Sequence, residues 1–483
     1  MVIGKRFPTR LLNCSTGKIH RMPEFYRSVP KPERGKAMNP LLSIDSYKAS
    51  HYKQYPPDAE GARFYIAPRK PIKENLKEFI VFGISYFVSK YLKTINLSDI
   101  EEAKSIFDKF GVGGSSHPFP VEQFKSLVGK RLPITINGIK EGYPLTNYNE
   151  PVAIVEILDK NFVWLAGFIE TAFHRSVWYG STVATNSRNI RLYLKHQYQK
   201  CVDDDQYWSL DYRLHDFGAR GASSAESAAL GGLSHLINFN GTDTIEAIKL
   251  GVDMYGMKVE DLACSIPASE HSTVTAWGAT QTTERLALLN MIEQFGGGAL
   301  FAFVSDSYDY KSFVDNVWGD PNIIKLIRSK GAVPVVRPDS GDPVEMVLYG
   351  LNSLEMSWGV TINGKGFKVL NGIRMIQGDG MDYNSIIVLY DAVIKAGFSP
   401  ENLAVGMGGG LLQRVNRDDM SWAMKMHEIK IDGKWFNVQK KPKTDMKKAA
   451  WANQKFDQTN WKLYSNQNSS AKPDFEEIRN RAR

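Results

Sequence analysis

The chain has 483 residues, 43% hydrophobic and 23% charged, which is enough to bury a large core and fits two domains. Its net charge of +8 invites a nucleic-acid reading, but residues 1–36 hold nine Lys/Arg against two Glu, so the rest of the body is close to neutral and nucleic acid is not the expected partner. No apolar run approaches the roughly 18–20 residues that span a bilayer, so no membrane is expected, and Cys14, Cys201 and Cys264 are too scattered for a disulfide framework or a zinc site and fit a reducing cytoplasm.

Residues 1–37 form a basic extension that can be read in three ways: a solvated, disordered arm, an Arg-rich targeting segment, or sequence ahead of a true start at Met38. Residues 39–70 mix aromatics, charges and prolines, and Phe79–Leu92 predicts a helix. Residues 130–160 alternate apolar and polar, with turns expected at Asn137-Gly138 and Asn147–Pro151, and predict a small β-rich unit. Asn161–Leu192 is helical in pattern in its first part and in its last. From Tyr212 a β/α rhythm sets in, with strands expected near 212–215, 300–304, 333–336, 373–376 and 403–405. Residues 427–465 return to a Lys-rich, β-like pattern with a turn at Gly433. The expectation is an α/β fold: an irregular β/α barrel over 161–426, and a second, β-rich domain with helical insertions built from 38–160 and 427–483.

Three of the expected strands end alike. Val333–Val336 runs into Arg337-Pro338-Asp339-Ser340-Gly341, Ile373–Ile376 into Gln377-Gly378-Asp379-Gly380, and Leu403–Val405 into Gly406-Met407-Gly408-Gly409-Gly410 and a helix-like Leu411–Arg414. Barrels and open sheets of parallel strands keep their chemistry at that edge. Arg337 suits bidentate contact with a phosphate or a polarised ring substituent, and Asp339 and Asp379 suit ribose hydroxyls. Gly408-Gly409-Gly410 would let backbone N–H groups converge on a phosphate at a helix start. Taken in order, these ends point to a sugar-phosphate site.

Other segments stay open singly. Phe217 and Arg220, in His215–Gly221, are either a ring platform and a phosphate ligand or a structural Phe and a surface Arg. Asp243 is either a ligand or a helix cap. His271, flanked by Glu270, Ser272 and Thr273 near an expected helix start, is either an anion or phosphoryl site or structural. Asp306 and Asp309 either bind magnesium, orient His271 or cap a helix. Lys425, Lys440, Lys441, Lys443, Lys447 and Lys448 are either a solvated face or a clamp on pyrophosphate.

Taken together, these motifs match a known family. Asp45–Lys48 with His51–Pro57, Leu214–Arg220, Gly241–Thr244, Glu270–Thr273, Val304–Asp309, Arg337–Gly341, Ile376–Gly380 and Gly408–Gln413 closely resemble the nicotinamide phosphoribosyltransferase family, over about residues 38–483. The resemblance implies a type II phosphoribosyltransferase fold and a cytoplasmic homodimer with active sites shared between subunits. It implies transfer of phosphoribosyl from 5-phosphoribosyl-1-pyrophosphate to nicotinamide, giving nicotinamide mononucleotide and pyrophosphate. By position, Phe217 and the partner's Tyr47 would sandwich the pyridine, with Asp243 accepting from the amide and Arg337 beside it. Asp339, Gly378 and Asp379 would hold the ribose, and Gly408 and Gly409 the 5′-phosphate. Arg220, Arg417, Lys425 and Lys440, with the partner's Arg69 and the partner's Lys448, would gather the phosphates. His271, supported by Glu270 and Asp306, would be phosphorylated by ATP, an activating co-substrate, and magnesium would accompany pyrophosphate. Ala219, Ile266 and Met407 depart from the family's usual aromatic, valine and serine. Nicotinate phosphoribosyltransferase is the rival enzyme, and Asp243 argues against it, because it would repel a pyridine carboxylate. A second class is a non-catalytic nucleotide-binding or secreted signalling protein on this scaffold, against which His271, Asp243, Arg337 and the glycine loop argue, and a third is nucleic-acid binding through the basic tail.

Overall fold

Two six-stranded sheets organise the chain. The computed structural model describes residues 39–298, 300–440, 443–444, 456–466 and 468–483; the basic extension, Cys14, Lys441, Lys447 and Lys448 lie outside them. The first sheet is antiparallel, in the order Lys434–Asn437, Ala423–Ile431, Ala59–Ala67, Ala153–Ile157, Thr135–Ile139, Trp461–Ser465. It joins the two ends of the described chain, and Ala423–Ile431 straddles the expected 426/427 boundary: it pairs with Ala59–Ala67 from Ala423 onward.

The second sheet is parallel. Leu214–Asp216, Gly241–Thr242, Leu300–Val304, Val333–Arg337, Arg374–Gln377 and Leu403–Met407 pair mostly with their sequence neighbours, and the last pairs back onto the first through Val405 and Leu214. The gap between Gly241–Thr242 and Leu300–Val304 is bridged by Cys264–Ser269. Thr242 N–H donates to Cys264 O, and Ala302 N–H donates to Pro267 O. The result is a closed, irregular β/α barrel, so the expected fold class holds.

Local expectations needed revision where distant packing decides the structure. Asn137-Gly138 is not a turn but lies inside the strand Thr135–Ile139. A Cβ on Gly138 would meet Ala153 Cβ at 2.9 Å, so the glycine serves close strand packing. Phe79–Leu92 divides into a short strand, Phe79–Ile80, and a helix, Ile84–Tyr91, whose first N–H groups are accepted by the buried Glu141 carboxylate at 2.7–3.2 Å. The two helical parts expected around 161–192 are one 37-residue helix, Leu165–Cys201. Its hydroxyl-rich middle stays helical because Ser181 and Thr185 bond the backbone of Phe82 and Ile80.

Candidate active site

All three motif-bearing strands end at the C-terminal edge of the barrel, as expected. A cavity of about 350 Å³ opens there. Phe217, Asp243, Ser265 and Arg337 line its mouth, and Ile266, Ala302, Val335, Ile376 and Ala404 its walls. It runs on to Arg213, Leu300 and Arg374, at the other ends of the strands. Small and aliphatic side chains keep the interior open, and the polar groups stand at its two ends.

Phe217 follows the strand Leu214–Asp216, and its position explains two glycines. A Cβ on Gly406 would come 2.0 Å from Phe217 Cε2, and one on Gly378 would come 2.9 Å from it. These glycines make room for the aromatic ring, which is a different role from the ligand approach expected of Gly378. Gly409 alone of Gly408–Gly410 has open space where a Cβ would stand. It heads a single helical turn, Gly409–Leu412, two residues earlier than the expected Leu411–Arg414, so free N–H groups rather than a long helix dipole are what it offers an anion. The Arg220 loop lies against it: a Cβ on Gly221 would be 3.3 Å from Gly409.

Asp243 does not cap the helix Ile245–Tyr255, whose cap position is Thr244. Its Oδ1 accepts from His215 Nε2 at 2.9 Å and from Ser265 Oγ at 2.5 Å. Burial would raise its pKa, but His215, Ser265 and the nearby Arg337 cation outweigh it and hold the carboxyl below its usual range. Asp243 is therefore an ionised acceptor at the cavity mouth. Arg337 Nη2 reaches Asp339 Oδ2 at 3.5 Å, and its buried Nε has no partner among the described residues, a donor aimed where a ligand could accept.

A second group sits beside this mouth. His271 Nε2 lies 2.9 Å from Asp306 Oδ1, and His271 Nδ1 lies 3.8 Å from Asp339 Oδ2. Asp306 is almost fully buried, and its Oδ2 accepts from Asp339 N–H at 3.1 Å and Ser340 Oγ at 2.5 Å. One carboxylate thus locks the His271 imidazole and the Asp339 loop together. Glu270 is turned elsewhere: it accepts from the Ser272 hydroxyl and caps the helix His271–Thr275. Asp379 is exposed at the loop after Gly378.

The remaining candidates do not line the cavity. Tyr47 is 58% exposed, its ring 5.3 Å from that of His51, on a helical turn tied to the long helix by Lys48–Glu170 at 2.6 Å. Arg69, Arg417, Lys425 and Lys440 gather on the antiparallel sheet and the loops beside it. Burial, then repulsion by Lys440, Arg69 and Lys48, lowers the pKa of Lys425 against the pull of Glu170. His174 is pushed down to about 4 by burial and by Arg417, Lys425 and Lys48. Arg69 belongs with Lys425 and Lys440, since the strand before Arg69 pairs Tyr65 with Lys425. Sequence reasoning divided these residues between two subunits, but one chain holds them together. It also missed His215, Ser265, Lys48 and His174, whose partners are 22 or more residues away and leave no local pattern.

Comparison with known proteins agrees with this geometry. Residues 212–470 match the nicotinate phosphoribosyltransferase (NAPRTase) family, and residues 39–136 match the N-terminal domain of nicotinamide phosphoribosyltransferase. The nicotinamide phosphoribosyltransferase of Xanthomonas campestris pv. campestris is 40% identical over 85% of this chain and 85% of its own length. That of Mycoplasma genitalium is 28% identical over 85% of this chain and 94% of its own. In fold, the chain resembles nicotinate-nucleotide pyrophosphorylase from Pyrococcus furiosus, with a TM-score of 0.56 at 15% identity covering 94% of this chain and 97% of that one. Human nicotinic acid phosphoribosyltransferase follows, with a TM-score of 0.52 at 15% identity covering 91% and 92%. The chain belongs to the nicotinamide phosphoribosyltransferases, within the wider nicotinate phosphoribosyltransferase family.

Proposed function

We infer that the protein transfers phosphoribosyl from 5-phosphoribosyl-1-pyrophosphate to nicotinamide, in salvage of the pyridine ring for NAD. The observation that carries the choice of pyridine is Asp243, ionised at the mouth of the cavity it shares with Phe217 and Arg337. It accepts from an amide NH2 and repels a carboxylate, which sets nicotinate phosphoribosyltransferase activity second.

The pyridine nitrogen lone pair forms the new bond to the anomeric carbon, and the C–O bond to pyrophosphate breaks with its electron pair on the leaving group. The transition state resembles an oxocarbenium ion, so catalysis rests on positioning and on neutralising the departing charge. Phe217 positions the pyridine face, Asp339 and Asp379 hold the ribose, and Gly409 with Arg220 receives the 5′-phosphate. Magnesium arrives with pyrophosphate. Among the described residues no group of three or more His, Cys, Asp or Glu could hold a metal ion, a donor set that suits a cation held mainly by phosphate oxygens.

The cations around Lys425 suit the pyrophosphate, but they and Tyr47 stand apart from the cavity. A homodimer in which the partner's Tyr47 and the partner's Lys425 complete each barrel mouth reconciles the two groups. ATP activates through His271. Asp306 occupies Nε2, so Nδ1, facing Asp339, is the nitrogen open to a phosphoryl group. The cytoplasm is the proposed compartment.

Purified protein given 5-phosphoribosyl-1-pyrophosphate, magnesium and equimolar nicotinamide and nicotinate, with and without ATP, tests the reading by mass spectrometry. Nicotinamide mononucleotide as main product supports it, and a gain with ATP supports the His271 role. Nicotinate mononucleotide as main product overturns the pocket assignment.

A further inference from the structure

Asp243 carries the amide preference, but its aim and its charge depend on neighbours. His215 Nε2 and Ser265 Oγ both converge on Oδ1. Among the described residues no hydrogen bond is made to Oδ2, which is left for a ligand. His215 is built into this place. Its side chain is 15% exposed, its ring stands 5.0 Å from that of Phe217, and a Cβ on Gly241 would come 2.6 Å from its Nδ1. His215, Phe217, Asp243, Ser265 and Arg337 all line one cavity.

We propose that His215 is the positioning residue that sets pyridine specificity: neutral, it donates from Nε2 to Asp243 and presents the free Oδ2 to the amide, and protonated, its imidazolium offsets the Asp243 charge and admits a pyridine carboxylate. The proposal rests on the reading that Asp243 meets the amide. It makes the preference for nicotinamide over nicotinate fall as pH drops and the imidazole gains a proton.

Among the other charged groups around His215, burial raises the pKa of Asp216, and the rest hold one state over that range. Asp216, next on the strand, is buried and accepts from Gly218 N–H and Thr242 Oγ1. His235, on the helix Ala225–Leu236, bonds Ser187 and Gly241 O, and burial lowers its pKa to about 3, so it stays neutral. Arg213, just before the strand, donates to the carbonyls of Ser209, Glu401 and Leu403. Arg337 faces Asp243 as a permanent cation, and Asp243 itself stays ionised.

The test is kcat/KM for nicotinamide and for nicotinate at saturating 5-phosphoribosyl-1-pyrophosphate, from about pH 6 to about pH 8.5, on the full chain. The wild-type ratio should fall about tenfold across that range toward acid. His215→Gln, which keeps a donor but cannot titrate, should hold the alkaline ratio within about threefold and lose its pH dependence. His215→Ala should lower the ratio about tenfold at every pH. Ser265→Ala should lower the ratio yet keep the pH dependence, which separates loss of a donor from loss of the switch. A flat wild-type profile, or a His215→Gln profile that still tracks pH, overturns the proposal. Asp243→Asn is the control for the underlying reading. If it leaves the ratio at about pH 8 unchanged, the amide assignment fails first and the His215 role falls with it. Should His215→Ala not fold, the wild-type and His215→Gln profiles still decide.

Discussion

The barrel mouth and the antiparallel sheet both carry charged residues, but they hold them differently. At the mouth the carboxylates are braced by side chains from other segments of the chain: Asp243 by His215 and Ser265, and Asp306 by His271 and Ser340. On and beside the sheet, Lys425 lies near Lys48, Arg69 and Lys440 with Glu170 as the nearby carboxylate, which Lys48 already occupies; Arg417 meets Asp418, and among the described residues the Arg69 side chain is tied only to the Ser421 carbonyl. A braced site is preorganised and recognises a flat, nearly neutral ring and a sugar by position. A crowd of cations keeps its repulsion until a polyanion relieves it, and it recognises charge rather than shape.

The largest effect should come from disturbing the braced side. Gly406→Ala places a methyl 2.0 Å from the Phe217 ring. It should cost about 1–3 kcal/mol of stability and on the order of a hundredfold in kcat/KM, since the ring no longer positions the pyridine. Thermal unfolding and steady-state kinetics on the same preparation check both. A folded variant with wild-type kinetics would show that Phe217 does not set the pyridine plane.

Much of the barrel was legible because its signals are local. Arg337–Gly341 and Gly378-Asp379 follow short apolar strands directly, and the strands lie where the rhythm placed them. What stayed hidden joins distant residues. Gly378 and Gly406 are small because Phe217, more than 160 residues earlier, rests on them. Gly138 is small because Ala153 crosses beside it, so a turn-like dipeptide sits within a strand. One helix runs where two helical parts were expected, and in its middle the Ser181 and Thr185 hydroxyls serve the backbone of Phe82 and Ile80. Lys48 reads as one basic residue among many until Glu170 is brought to it.

A complementation experiment separates the two regions. If each active site joins one subunit's barrel to its partner's sheet, Asp243→Ala and Lys425→Glu should each be nearly inactive alone. Co-assembled, they should regain about a quarter of wild-type activity: half the dimers are mixed, and each mixed dimer holds one intact site. No recovery in confirmed mixed dimers would place both regions of a site on one chain. On the sheet alone, Lys425→Ala should raise KM for 5-phosphoribosyl-1-pyrophosphate about tenfold and leave KM for nicotinamide nearly unchanged. The difference should shrink in high salt, where exposed charge is screened. Equal changes in both KM values would mean that Lys425 shapes the pocket rather than meeting charge.

The smallest effect concerns what stands behind the braced site. Glu284, on the helix Gln281–Phe295, is wholly buried; its Oε1 accepts Ser307 N–H at 3.1 Å and its Oε2 has no partner among the described residues. Burial pushes its carboxyl up to about 7, with the Asp306 charge adding to the rise and the Ser307 bonds opposing it. Its ordinary value is 4.5, so between the two values the unfolded chain has released a proton that the folded chain keeps. Stability should therefore fall as pH rises from about 4.5 to about 7 and level off above, by about 2 kcal/mol once residual solvent screening is allowed for. Glu284→Gln keeps an acceptor for Ser307 and removes the titration. Urea unfolding of both proteins from about pH 5 to about pH 8 should give curves that converge or cross with pH, not parallel ones. Parallel curves would mean that Glu284 is already ionised when folded, and that the Asp306–His271 pair works in front of a second negative charge rather than a neutral wall.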